Sequence, residues 1–197
     1  MRLFVLARHG ESSLNVARVV NGDPAVEAPL TEKGRSEAEL LGQQVRNVPL
    51  DTCIVTRFAR TLETAAIALA GRAVPIDVEP LFDDVDVGDL DGVSLDEYRS
   101  WKRAHARAEP FPNGESLDAA AGRYSHALES LLARAEQTIL VIAHEIPVRY
   151  TLNAAEGSTD PDAPNDRIAN ATPYLFGEGR LTEAAARLAQ LASPTHY

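Results

Sequence analysis

Short, strongly apolar segments alternate along this chain with longer segments that have helical periodicity. The predicted strands are "RLFVLA" (2–7), "DTCIVT" (51–56), "VPIDVE" (74–79), "TILVIA" (138–143) and a weak one at 172–176. Apolar runs of this length, bounded by polar turns, are typical of buried strands. Strands that alternate with helices predict an α/β layered domain.

The predicted helices cover residues 30–45, 57–70, 95–108, 116–135, 148–155 and 181–191. Thr31 is expected to cap the first of them, and Gly71 to end the second. A length of 197 residues suits one domain with a sizeable core, so residues 1–197 are interpreted as a single domain. The one candidate insertion, at about 93–113, is expected to form a small cap.

Composition excludes several classes of function. The net charge is −10, and no Lys/Arg-rich run offers a local exception, so nucleic acid is not an expected partner. Cys53 is the only cysteine, which excludes an internal disulfide framework and favours a reducing cytoplasm. No run of about 18 apolar residues predicts a membrane span. The sequence makes no prediction of oligomeric state.

Charged residues follow the predicted strands. Arg8 and His9 come after the first strand, Arg60 lies just beyond the second, and His144 follows the fourth. Ligands of open α/β sheets bind at the carboxyl ends of the strands, where such loops converge. We therefore expect two histidines and at least two arginines to share one crevice.

Clustered cations repel one another unless an anion such as phosphate balances them, and the arginine fork matches phosphate oxygens. The phosphate-binding loop GxxxxGK[ST] is absent from this sequence. The imidazole of His9 is an alternative route to turnover, because a neutral ring nitrogen can attack phosphorus and form a phosphohistidine. Neighbouring arginines would lower its pKa and favour that neutral form.

Expulsion of an alkoxide requires a general acid, for which the aspartate-rich loop at 80–92 is the obvious source. Crowded carboxylates raise one another's pKa, which would keep one of them protonated. Spacing alone does not choose among the candidates, which are Asp83, Asp84, Asp86, Asp89 and Asp91.

Six segments, in order, resemble motifs of the histidine phosphatase superfamily, also called the phosphoglycerate mutase-like or RHG family. "RHGES" with Asn15 is similar to RHGE(S/T)xxxN, and "PLTEKGRSEA" to PLTxxGxxQA. "TRFARTLETA" resembles SxLxRAxxTA, and "DDVDVGDLDG" resembles ExxFGxWEG. "PNGES" matches PxGES, and "ILVIAHEIPVR" is similar to VLVVSHGGVIR.

The resemblance implies a three-layer α/β/α sandwich with a mostly parallel sheet and a short helical insertion near the active site. It also implies the roles of the catalytic residues. His9 would be phosphorylated, Asp84 would donate the proton, and Asn15 would be an auxiliary phosphate contact. The phosphoryl group would be held by Arg8, Arg60 and His144.

Four further residues are candidates for substrate binding. Glu145 stands where the family usually has glycine, and it either points away as a helix N-terminal residue or contacts a cationic or hydroxyl-bearing part of the substrate. Gly22 lies in the poorly matched loop 21–28. If the insertion caps the crevice, Lys102 or Arg103 would select a second anionic group.

No metal or cofactor is predicted. "HEIPV" begins like the zinc motif HExxH, but its fifth position is Val148, and Pro147 is expected to interrupt the helix. The expected function is hydrolysis of a small phosphomonoester, such as a sugar phosphate, because the longer insertion and "ERHYG" stretch of the mutases are missing. The alternatives are mutase-type phosphoryl transfer that depends on a bisphosphorylated cofactor, and a catalytically weak member that binds a phosphorylated ligand.

Overall fold

A five-stranded sheet, in the order β3-β2-β4-β1-β5, runs through the centre of the molecule. The structure, a computed structural model, describes residues 2–164 and 168–192. The strands are β1 (Leu3–Arg8), β2 (Thr52–Val55), β3 (Ile76–Val78), β4 (Thr138–Ala143) and β5 (Tyr174–Gly177). The first four strands are parallel, and β5 pairs antiparallel with β1 at one edge. All five predicted strands are present.

Seven α-helices flank the sheet within the described ranges, and two short 3-10 turns, Pro80–Phe82 and Gly88–Leu90, shape the aspartate-rich loop. The helices are α1 (Ser13–Ala17), α2 (Glu32–Val45), α3 (Ala59–Ala68), α4 (Leu95–Ala104), α5 (Leu117–Ala133), α6 (Glu145–Ala155) and α7 (Glu178–Ala192). Thr31 caps α2 through its hydroxyl, which accepts a hydrogen bond from Gly34 N at 3.0 Å, as predicted.

Both faces of the central strands β1, β2 and β4 are covered, which confirms the three-layer sandwich. Along β1, Phe4 and Leu6 point into the core formed with α5, α6 and α7. Val5 and Ala7 point the opposite way, into a second core formed with α2 and α3. Because successive side chains of a strand alternate between faces, an apolar run such as β1 requires helices on both sides.

Several helix boundaries differ from the prediction, and one helix was not predicted. Helix α6 begins at Glu145, so Pro147 lies in its first turn, where the missing N–H has no intrahelical partner to lose. Helix α4 ends at Ala104 because the side chain of His105 bonds to the carbonyl of Trp101 at 2.7 Å. Helix α1 was not predicted, since it has only five residues and depends on capping contacts rather than on apolar periodicity.

None of the helices in residues 2–164 and 168–192 is both long enough and apolar enough to cross a bilayer.

Candidate active site

The carboxyl ends of β1, β2 and β4 meet at one level of the sheet. Arg8 pairs with Ala143, and Val55 with Ile142, so the residue that follows each strand emerges beside its neighbours. His9 stays tied to β4, because its backbone N–H donates to the carbonyl of Ala143 at 2.9 Å. The rigid sheet therefore positions the first residues of three separate loops.

His9 is 3% exposed, and its two ring nitrogens have different partners. Nδ1 lies 2.7 Å from the carbonyl oxygen of Gly10, and Nε2 lies 3.0 Å from Nε of Arg60. A carbonyl only accepts and a guanidinium only donates, so Nδ1 carries the hydrogen and Nε2 presents its lone pair. Burial, followed by the charges of Arg60 and Arg8, holds the pKa of His9 well below its usual range. The ring is thus neutral, with its lone pair on Nε2.

Arg60, in the first turn of α3, connects most of the site. Its guanidinium donates to the side-chain and backbone oxygens of Asn21, to Nδ1 of His144 at 3.2 Å and to Asp84 at 3.4 Å. The phenyl ring of Phe58 packs under the guanidinium, 4.3 Å from its central carbon. Arg60 is 4% exposed, so its charge is directed at these partners rather than at solvent.

His144 is fully buried, and a chain of hydroxyl groups fixes its orientation. Nδ1 faces Arg60 and must accept, so Nε2 carries the hydrogen and donates to Oγ1 of Thr56 at 3.0 Å. Thr56 in turn bonds Oγ1 of Thr61 at 2.9 Å, and Thr61 donates to the carbonyl of Phe58 at 2.8 Å. Burial, then the charge of Arg60, lowers the pKa of His144 well below its usual value.

Asp84 lies beside this pair, with its side chain 24% exposed toward the cavity. One carboxyl oxygen accepts from the backbone N–H of Val85 at 3.0 Å, and the other lies 3.6 Å from Nδ1 of His144. Loss of hydration raises the pKa of Asp84 above its usual value. The charge of Glu145 reinforces that rise, whereas Arg60 opposes it.

The raised pKa of Asp84 therefore has a different main cause from the predicted crowding of aspartates. The other carboxylates of the loop are engaged elsewhere: Asp83 pairs with Arg57, and Asp86 accepts from the backbone of Gly88 at 3.0 Å. Asp84 differs from these neighbours in that it lines the same cavity as His9, and sequence spacing carries no sign of that position.

His9, Arg60 and Asp84 line a cavity of about 200 Å³, whereas the fully buried His144 lies behind them and is not among its lining residues. Arg8 lies in its wall with a buried Nε that has no hydrogen-bond partner among the described residues. Asn15 also lines the cavity, and its side-chain oxygen accepts from Ser12 N in the capping box of α1. The apolar part of the wall consists of Leu14, Val19, Val20, Val85, Val87, Leu95, Tyr98 and Ile146.

Of the four remaining candidates, only Glu145 lines this cavity, at the start of α6, where it accepts from Arg149 at 2.9 Å. Lys102 pairs with Asp162 at 3.2 Å, and Arg103 donates to a serine hydroxyl on its own helix. Neither is among the lining residues.

Gly22 borders a separate acidic cavity of about 490 Å³. Its N–H donates to Asp91 at 2.6 Å, and a Cβ at this position would lie 2.3 Å from the carbonyl oxygen of Val85. Glycine is therefore required here for the close approach of two loops.

Sequence reasoning missed three residues of the site. Asn21 holds Arg60, Thr56 orients His144, and Tyr98 contributes the insertion's aromatic wall. Thr56 occupies the first position of the segment that resembles SxLxRAxxTA, so this resemblance could have identified it as a site residue. Nothing in the local sequence marks Asn21 or Tyr98.

The sheet and this site define the class of protein: an enzyme of phosphoryl transfer or hydrolysis, in which a neutral histidine faces an arginine-lined cavity. The profile of the "Histidine phosphatase superfamily (branch 1)" matches residues 4–182, and the chain belongs to that family.

The relatives of the chain include both mutases and phosphatases. A 2,3-bisphosphoglycerate-dependent phosphoglycerate mutase from Bartonella bacilliformis is 30% identical over 89% of this chain and 91% of its own. An adenosylcobalamin/alpha-ribazole phosphatase from Salmonella typhimurium is 32% identical over 74% of each chain. Among solved structures, Bacillus stearothermophilus YhfR is 28% identical, with a TM-score of 0.77 over 88% of this chain and 89% of its own.

Proposed function

We propose that the protein hydrolyses small phosphomonoesters through a phosphohistidine at His9. The observation that carries this proposal is the state of His9: its Nδ1 hydrogen is held by Gly10, and its Nε2 lone pair is directed at Arg60 inside the cavity. A phosphoryl group that replaces His9 as the partner of Arg60 Nε would lie in contact with that lone pair.

In the first step, Nε2 of His9 attacks phosphorus while the ester P–O bond breaks. Asp84 gives its proton to the departing alkoxide, which its raised pKa favours. In the second step, water attacks the phosphohistidine, the N–P bond breaks, and the Asp84 carboxylate takes a proton from that water. Inorganic phosphate leaves, and His9 returns to its neutral form.

Three groups hold the phosphoryl oxygens in this proposal. Arg8 offers its unpartnered Nε, and Arg60 turns from His9 to the substrate. In the ligand-free site, Nδ1 of His144 accepts a hydrogen bond from Arg60 and so holds that guanidinium in place. The charge of an arriving phosphate raises the pKa of His144, so that a protonated Nδ1 then donates directly. Asn15 supplies an auxiliary contact.

We infer that residues 93–113 form the cap of this single domain. Leu95 and Tyr98, both on α4, contribute to the cavity wall. Lys102 and Arg103 remain candidates for a second anionic group only if the cap rearranges, because both are occupied outside the cavity.

Mutase activity is the second candidate, favoured by the 30% identity to a phosphoglycerate mutase. The charges around the cavity favour hydrolysis instead. The substrate of a mutase carries a carboxylate, yet the cations near the outer wall are already paired, Arg18 with Asp96 and Arg149 with Glu145. The cations among the described lining residues are Arg8, Arg18 and Arg60, and the proposal assigns Arg8 and Arg60 to the phosphoryl group.

The decisive experiment is a rapid quench with labelled phosphomonoester. Label should remain on the protein after a neutral or alkaline quench and be lost in acid, as expected for phosphohistidine, and His9→Ala should abolish both label and turnover. His126→Ala, which changes an exposed histidine on α5, is the matched control and should behave like the wild type. Turnover by His9→Ala would refute the mechanism.

The same protein incubated with 3-phosphoglycerate and 2,3-bisphosphoglycerate distinguishes the candidates. Release of inorganic phosphate supports hydrolysis, whereas formation of 2-phosphoglycerate without phosphate release identifies a mutase. Binding with neither product, together with no turnover of any ester in the quench experiment, would identify the catalytically weak alternative.

A further inference from the structure

Tyr98 has a buried hydroxyl with no hydrogen-bond partner among the residues that the structure describes. The side chain belongs to α4, is 8% exposed and lines the active-site cavity. Its ring stacks on Phe111, with ring centroids 5.6 Å apart, so the hydroxyl is held in one place. An enclosed hydroxyl without a partner is costly, and most buried polar groups in proteins are paired.

Tyr98 lies in the wall of the same cavity as Asp84 and Glu145. Burial is the main reason that the pKa of Tyr98 is raised, and the charges of Asp84 and Glu145 add to the rise. A ligand in this cavity is therefore in reach of both Tyr98 and Asp84. A group bonded to Tyr98 would belong to the leaving alcohol, close to the ester oxygen that Asp84 protonates.

The residues around Tyr98 indicate the polarity and charge of the rest of that alcohol. Leu14, Val19, Leu95 and Ile146 give the cavity an apolar wall. The charged groups at this end, Arg18 and Glu145, are each paired with a neighbour of opposite sign. A neutral alcohol would bury apolar surface here, whereas a carboxylate would lose its hydration without gaining a free cation.

We propose that the enzyme selects phosphomonoesters of neutral, partly apolar alcohols that carry a hydroxyl group near the ester, and that Tyr98 recognises this hydroxyl. The proposal rests on the proposed function, since it describes the leaving group of the same reaction. Tyr98 is thus a specificity-determining residue, and α4 is the helix that contributes it to substrate recognition.

Two matched pairs of substrates test this proposal. The first pair is 2-phenylethyl phosphate and 2-hydroxy-2-phenylethyl phosphate, which differ by one hydroxyl. We expect kcat/KM to favour the hydroxylated ester by about tenfold, as for one hydrogen bond in an enclosed site. Tyr98→Phe should remove that preference, so that kcat/KM becomes equal for the two phenylethyl esters. The second pair is glycerol 3-phosphate and 3-phosphoglycerate, of which the neutral alcohol should be the better substrate.

Tyr150→Phe is the control variant. Its hydroxyl is also buried, but it bonds Arg107 at 3.2 Å and Asp162 at 3.1 Å, away from the cavity lining. A purely structural loss should lower kcat/KM for both phenylethyl esters equally and keep their ratio.

Each outcome of this experiment bears on one proposal. Equal kcat/KM values for the two phenylethyl esters in the wild type, a preference that survives Tyr98→Phe, or faster turnover of 3-phosphoglycerate would overturn the inference while hydrolysis stands. Absence of turnover on all four esters, with no label on His9, would instead overturn the proposed function.

Discussion

Thr56→Val tests whether the hydroxyl chain behind His144 controls the active site. The substitution keeps the branched shape of the side chain but removes the oxygen that accepts from Nε2 of His144 at 3.0 Å. Thr56 and His144 are both fully buried, so solvent does not replace the missing acceptor. The variant leaves a buried N–H without a partner.

The expected cost follows from that one group. An unpaired buried donor costs about 1–3 kcal/mol, so we expect the free energy of unfolding to fall by about 2 kcal/mol. In a chain of this size that corresponds to a decrease in Tm of about 6 °C. The same 2 kcal/mol changes the tautomer ratio of His144 by about 30-fold, so we expect kcat/KM to fall by up to about 30-fold.

Urea unfolding, steady-state kinetics and NMR of the ring nitrogens measure these effects. NMR should show the hydrogen of His144 on Nε2 in the wild type and a mixed population in Thr56→Val. Thr56→Ser keeps the oxygen and should restore both the tautomer and the activity. Thr61→Val is the matched control, because it also removes a buried hydroxyl but leaves the acceptor of His144 in place.

Two results would refute this reasoning. One is a Thr56→Val protein that loses stability but keeps the tautomer and the full kcat/KM. The other is a Thr61→Val protein that loses as much activity as Thr56→Val, which would mean that packing around α3, rather than the hydrogen bond to His144, controls turnover.

Two further predictions concern the proton donor. Asp84→Asn should slow turnover of alkyl phosphates far more than turnover of nitrophenyl phosphate, because only an alkoxide needs the proton; equal losses on both esters would remove Asp84 from that role. Glu145→Gln removes a negative charge that raises the pKa of Asp84, so Asp84 should lose its proton at lower pH. The alkaline limb of the kcat/KM profile should then move to lower pH, and an unmoved limb or a shift to higher pH would contradict this account.

The sequence predicted the parts of the molecule that depend on local pattern. Apolar runs located all five strands, most clearly β1 and β4, because a strand covered on both faces leaves a continuous apolar signature. The capping hydroxyl of Thr31 located the start of α2 within two residues. His9, Arg60 and His144 could be grouped because the ends of parallel strands must meet at one edge of the sheet.

The remaining features depend on contacts between distant segments. Asn21 binds Arg60 across 39 positions of the chain, and His144 reaches Thr56 across 88. The pKa of Asp84 is raised mainly by burial in the folded protein, which its local sequence does not indicate. Lys102 looked available in the sequence, but Asp162 pairs with it 60 positions away. Contacts of this kind between distant residues cannot be predicted from local composition.

The histidines of the site and its apolar wall come from different parts of the fold, and this separation has a consequence for engineering. His9 and His144 are anchored at the ends of β1 and β4, whereas the apolar wall comes largely from surface segments such as α1 and α4. Replacement of α4 would alter which alcohol fits and leave the nucleophile in place. The fold is thus suited to changes of specificity by segment exchange. The ends of β1 and β4 would stay unchanged, and the surface segments that form the apolar wall would be replaced.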